Sequence, residues 1–199
     1  MPGTFARIVR LALASACASA IAAPAAPDSS AAPAAPAQIF SAEAIKAAYI
    51  ANFIRFTQWP DESFAGKDSA FVIGVVGNRD LEDQLLRMAD RQSIRDRPLR
   101  VLRIRSTRDL ENCHVIFFES MLSTPGAPDF TMRECLDAVR GRSVLTVSDA
   151  SNFISEGGII NLYREGDNLR FEIAPHHAAA AKLVLSSRLL ALARIVPAP

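Results

Sequence analysis

Phe71-Val72-Ile73-Gly74-Val75-Val76-Gly77-Asn78-Arg79-Asp80-Leu81 is the stretch that decides the fold. Its first six residues are small or apolar without alternation, the mark of a strand covered on both faces, as in parallel sheets. Gly77-Asn78 closes the run, and Asp80 to Ala89 follows with Leu81, Leu85 and Met88 on one side of a helix. A buried strand feeding directly into a helix is the repeating unit of α/β folds.

The alternation recurs on either side of this unit. Upstream, Ser41 to Gln58 carries a capping serine, an acidic first turn at Glu43, and Ile45, Tyr49, Phe53 and Phe56 at helical spacing, before Trp59-Pro60 stops it. At that spacing Tyr49, Phe53, Phe56 and Trp59 read as helix core, with Trp59 at the end still available to a partner. Downstream, Leu99 to Ile104, His114 to Phe118 and Ser143 to Val147 read as strands, and Asp129 to Val139 and Asp149 to Ser155 as helices. Ile159 to Arg164 and Leu169 to Ile173 flank Glu165-Gly166-Asp167-Asn168 as a hairpin. Pro175 to Ile195 reads as one long closing helix. The expectation is an α/β single domain: a mostly parallel, mixed six-stranded sheet with helices on both faces, a C-terminal hairpin and a long helix.

The N-terminus sets the compartment. Arg7 and Arg10 precede a short apolar run, Leu11 to Ala22, with small-residue cleavage sites at Ala18-Ser19-Ala20 and Ala20-Ile21-Ala22. That is a secretory leader, residues 1–22, and its core is too short to span a bilayer. Cys17 invites a lipoprotein reading, but Ala14-Ser15-Ala16 upstream lacks the larger aliphatic residue such signals carry, so soluble export to the periplasm is expected. Residues 23–38 are almost all Ala and Pro and read as an extended linker. Residues 39–196 then form the single domain. Removing Arg7 and Arg10 with the leader leaves 20 basic against 21 acidic side chains, a balance that argues against nucleic acid as a partner.

Two cysteines remain in the exported chain, Cys113 and Cys135. In an oxidising compartment such a pair reads as a disulfide, stabilising by about 3 kcal/mol at that spacing. It cannot by itself make a structural zinc site.

Catalytic signatures are weak. No G-x-S-x-G elbow surrounds Ser148-Asp149, and Asp149 reads as the cap of the helix that follows. Gly77 to Asp80 lies where open α/β sheets place ligands, but without G-x-G-x-x-G or a P-loop lysine it reads as a turn and helix cap. Adjacent His176 and His177 point about 100° apart on a helix, unlike a chelating pair, and no metal is expected. His114 reads as a strand-entry residue. The arginines from Arg87 to Arg105 are interleaved with Asp83, Asp90 and Asp96, a solvated mixed-charge face that also suits a protein contact. Neither an enzyme nor a cofactor is expected.

Five blocks in order resemble the YfiR-like family. Lys46-Ala47 to Phe53 and Phe56-Thr57-Gln58-Trp59-Pro60 are similar to its opening "K-A-x-x-x-x-x-F … F-x-x-W-P". Cys113 to Phe118 is similar to its "C-x-V-L-F-I" strand. Val144 to Asp149 with Gly157 to Leu162, then Arg170 to Ile173 and Leu185 to Leu190, match "V-L-T-V-S-D … G-G-M-I" and "R-F-x-I … S-S-x-L-L". The resemblance implies a periplasmic regulator that holds the periplasmic part of an inner-membrane diguanylate cyclase inactive and keeps cyclic-di-GMP low. Some members instead form the extracytoplasmic part of a sensor kinase, an extension not seen in this sequence. The chain departs from the family in lacking cysteines between Ser143 and Gly158, so a disulfide rests on spacing alone.

The expected function is therefore non-catalytic repression of such a cyclase, with no direct membrane insertion and with homodimerisation as a further expectation. The partner surface is expected on the hairpin Ile160 to Phe171, with Tyr163, Arg164 and Glu165, and at Trp59. The alternative is a periplasmic small-molecule sensor using the strand ends near Gly77 to Asp80 and Ser148 to Asn152.

Overall fold

The computed structural model describes residues 41–120 and 128–198. The expected leader, Cys17 and the linker lie outside the described residues. In chain order the elements are α1 (Ala42–Arg55), β1 (Thr57–Gln58), β2 (Phe71–Val76), α2 (Arg79–Ala89), β3 (Leu99–Arg103), β4 (Val115–Phe118), α3 (Met132–Ala138) and β5 (Leu145–Ser148). The hairpin β6 (Ile160–Glu165) and β7 (Asn168–Ile173) follows, then α4 (Pro175–Ala180), β8 (Val184–Leu185), α5 (Ser187–Leu192) and β9 (Arg194–Ile195).

The main sheet has seven strands in the order β3-β2-β4-β5-β6-β7-β9, and β1 pairs β8 in a separate two-stranded ribbon. Pairing is parallel from β3 through β6, antiparallel within the hairpin β6–β7, and parallel again between β7 and β9. All six strands read from the sequence are present; the seventh, β9, lies inside the stretch read as a long helix. The chain reverses its order of strand addition at β2, which sits between β3 and β4.

Period-two geometry divides the core. Phe71, Ile73 and Val75 of β2, with Val115, Phe117, Leu145 and Val147, face α1 and α2 in the larger apolar cluster. Val72, Val76, Ile116, Phe118 and Val144 face the other way, onto α3 and a 3-10 turn at Thr107–Asn112. Every residue of β2, β4 and β5 is buried, which is why those runs read as apolar on both faces.

Three local expectations are corrected. The buried face of α1 is Ala47, Ile50, Ala51, Phe53 and Ile54, while Ile45 is 39% exposed and Tyr49 is only partly buried. The short helix expected at Asp149 to Ser155 is a run of turns. The long C-terminal helix is broken: Lys182 adopts φ 55°, its N–H bonds Ala179 O, and the N–H of Leu183 reaches back to Ala178 O. This is a Schellman ending with lysine where glycine usually stands. It frees Leu185 to pair with Thr57, and the Ser186 side chain then caps α5.

Candidate functional site

The carboxyl ends of β2, β4 and β5 converge on one polar cluster. Asn78, at the end of β2, caps α2 by accepting the Leu81 N–H at 2.7 Å, and its amide donates to Glu119 at 2.7 Å. Glu119 follows β4. Asp149 follows β5 and does not cap a helix: it accepts the Ser120 N–H at 2.9 Å and pairs with Lys46 of α1 at 2.8 Å. Lys46 and Asp149 keep only 13% and 20% of their side-chain surface in contact with solvent. Burial holds the Glu119 carboxyl above its usual range, opposed by the Lys46 charge and reinforced by Asp149. Two carboxylates and one ammonium thus share the point where strand order reverses, the position at which open α/β sheets bind ligands. The sequence marked Asn78 and Asp149 singly; Lys46 and Glu119, more than 70 residues apart, carry no local signal of their meeting.

At the amino end of β4 lies a second polar group. The His114 ring stacks on Phe64 at 4.6 Å and meets Phe71 edge-on. Its Nδ1 accepts the Val72 N–H at 3.1 Å, so Nε2 carries the proton and donates to Ser63 O at 2.9 Å. Burial pushes the His114 pKa below the usual imidazole value, a shift that the hydrogen bond to Ser63 opposes. His114 is therefore a fixed connector between β2, β4 and the Asp61–Ser63 turn, more than a strand-entry residue.

The expected partner residues separate. Tyr163 is half-buried on β6, with the Arg194 guanidinium 4.4 Å from its ring centroid, and Arg164 and Glu165 are exposed beside it. Trp59 is 8% exposed and packs edge-on against Phe71, so it belongs to the core and offers no surface to a partner. The hairpin edge is also partly covered: β9 pairs with Glu172 and Ile173, leaving Asn168 to Phe171 as the open stretch. Glu172, 8% exposed, accepts from Asn161 at 3.1 Å and from Arg194 Nε at 3.0 Å, tying β6, β7 and β9 together.

Cys113 and Cys135 are free thiols here, so the expected disulfide is not present in this structure. Both are buried in the apolar cluster behind the sheet, and burial pushes their pKa up to about 11 and about 12. His176 and His177 stand at the start of α4, where His177 Nδ1 contacts Gly158 O at 2.8 Å. Among the described residues no group of His, Cys, Asp and Glu is arranged to hold a metal ion, and no helix is long and apolar enough to cross a membrane.

These features define an α/β domain in which the pairs Lys46–Asp149, Arg103–Glu82 and Arg194–Glu172 tie separate elements together. The chain belongs to the YfiR/HmsC-like family, whose model matches residues 43–194, nearly the whole folded domain. Comparison with curated proteins gives no match.

Proposed function

We propose that this protein is a non-catalytic periplasmic regulator that binds and represses the periplasmic sensor portion of an inner-membrane diguanylate cyclase, lowering cyclic-di-GMP signalling. The observation that carries the reading is membership of the YfiR/HmsC-like family across the full domain. The leader-like residues 1–22 supply the route to that compartment. Repression by binding alone requires that the chain prefer one conformation of its partner, and the extent of repression is bounded by that difference in affinity.

The contact surface proposed is the solvent side of the β6–β7 hairpin. Tyr163 supplies a large aromatic face partly shielded by Arg194, with the Arg170–Glu165 pair beside it on the same face, while Arg164 points to the opposite face of the hairpin. An aromatic anchor inside a charged rim is the arrangement that concentrates binding energy in protein interfaces. The test is binding of the exported chain to the periplasmic domain of any membrane diguanylate cyclase encoded beside it, by calorimetry, with intracellular cyclic-di-GMP measured in parallel. Tyr163→Ala and Arg170→Glu are expected to weaken binding by about tenfold or more and to raise cyclic-di-GMP. Absence of binding by the intact chain overturns the reading.

A second reading, a small-molecule sensor, is favoured by the convergence of Lys46, Asn78, Glu119 and Asp149 at the strand ends. A saturable thermal shift with a metabolite, lost in Asp149→Asn and independent of any protein partner, would select it.

A further inference from the structure

The sequence arginines divide once the fold is known. Arg103 pairs with Glu82 at 2.6 Å and Arg97 lies over the Phe64 ring at 4.0 Å, so both serve the fold. Arg87 and Arg91 instead line a groove of about 650 Å³ between α1 and α2. Its α1 side is lined by the accessible Ala44 and Ala48, at i and i+4, above the buried Ala47 and Ala51, with Ile45 beside them, and Met88 lies on the α2 side. Alanine side chains end at Cβ, so the groove is open because its wall is small, while Ile45 supplies apolar surface that the core leaves uncovered.

The charges on this groove are of one sign. Arg55, Arg87 and Arg91 line it, together with Gln84 and Gln92, and no carboxylate does; Asp83 and Asp90 of α2 are exposed outside it. Arg55 is held by neutral amides alone, Asn52 Oδ1 at 3.3 Å and Gln92 Oε1 at 2.8 Å. Among the described residues none of the three arginines makes a salt bridge. They gather at the carboxyl ends of two helices, whose dipoles offset their mutual repulsion, so the cluster persists without acidic partners.

We propose that the α1–α2 groove is a docking site for an amphipathic helix of another protein, carrying apolar side chains at i, i+4 and i+7 and carboxylates at the end that meets Arg55, Arg87 and Arg91. The 14 residues of α1 span about 21 Å, so about four turns of a partner helix fill the groove. Apolar anchors in a groove set depth, and complementary charge at one end sets direction and excludes basic helices. The inference concerns a different face from the hairpin and does not depend on the cyclase reading.

The test uses the exported chain and a fluorescent helical peptide of about four turns, with leucines at i, i+4 and i+7 and glutamates at one end. Saturable binding is expected, at least about tenfold tighter than for the same peptide with lysines in place of glutamates. The double substitution Arg87→Glu with Arg91→Glu reverses that preference. Ala48→Trp, a change at an exposed position, blocks both peptides without lowering the unfolding temperature, and bound peptide slows amide exchange in α1 and α2 alone. The proposal is overturned if the two peptides bind equally, if Ala48→Trp leaves binding intact, or if protection appears elsewhere. It is equally overturned if anionic vesicles bind in an Arg87- and Arg91-dependent way while the peptide does not. Self-association that Ala48→Trp abolishes would assign the groove to a second copy of the chain and likewise overturn it.

Discussion

Lys46 Nζ stands 2.8 Å from Asp149 Oδ2, a bond that ties the first helix to the end of β5 across 103 residues of sequence. Because Asp149 also holds the Ser120 N–H, the same carboxylate fixes the exit of β4. Lys46→Met is expected to cost about 1–3 kcal/mol, above an exposed pair and below a fully buried one. Urea denaturation of Lys46→Met, Asp149→Asn and the double variant measures it, and the double should lose less than the two singles combined. The Glu119 pKa, already raised by burial, should rise further without Lys46. A raised carboxyl pKa makes the folded state bind more protons, so stability of the variant falls as pH climbs through that range.

His114 predicts the opposite slope. Its folded pKa lies below the unfolded value near 6.5, so its contribution is complete above that pH and is lost as pH falls toward the folded pKa. Protonation would turn Nδ1 into a donor facing the Val72 N–H. His114→Phe should keep the stacking on Phe64 but orphan that N–H, costing about 1–3 kcal/mol. It should also flatten the acid limb of a plot of unfolding temperature against pH.

Arg194 and Glu172 join the last strand to the hairpin. Arg194→Met leaves an almost fully buried carboxylate that keeps, among the described residues, the Asn161 amide as its partner. A loss of about 1–3 kcal/mol is expected. Amide exchange at Val196, whose N–H bonds Ile173 O at 2.8 Å, should accelerate more than exchange in β4.

The two buried thiols should be inert. With pKa values near 11 and 12, Cys113 and Cys135 carry almost no thiolate at neutral pH, and the thiolate is the reactive form. In a chain lacking residues 1–22, two equivalents of thiol are expected to appear with an aromatic disulfide reagent only after denaturation. Mass spectrometry of the refolded protein should show no loss of two hydrogens.

Gly158 allows a close approach. A Cβ placed there would lie 2.2 Å from Phe153 Cδ1, a core ring that is 1% exposed. Gly158→Ala should destabilise by about 1–3 kcal/mol through overpacking, read as a lower urea midpoint. At neighbouring Gly157 the added atom meets nothing, and the cost there comes from φ 108° instead.

Much of the fold was legible in local pattern. Phe71 to Val76 is buried on both faces because it lies between two helix layers, and unbroken apolarity is the trace this leaves in sequence. The hairpin was visible through Gly166, and the cap of α2 through Asn78. The C-terminus misled because its stop signal uses Lys182 in a left-handed conformation, which no residue-type rule marks, although Ser186 was available as a capping clue. In α1, periodicity found a helix but placed its face one step off: Ile45 and Tyr49 are larger than Ala47 and Ala51, yet the alanines pack against the sheet.

The sequence by itself determined the class of fold, because burial on both faces and helical spacing are properties of neighbouring residues, and five ordered blocks carried the resemblance to the family. Only the tertiary structure decided that Asp149 answers Lys46, that Trp59 is closed off while Tyr163 is not, and that three arginines border one apolar groove. Those facts depend on pairs brought together by parallel crossovers, and the spacing of such pairs is set by packing distance, which short-range sequence pattern does not encode.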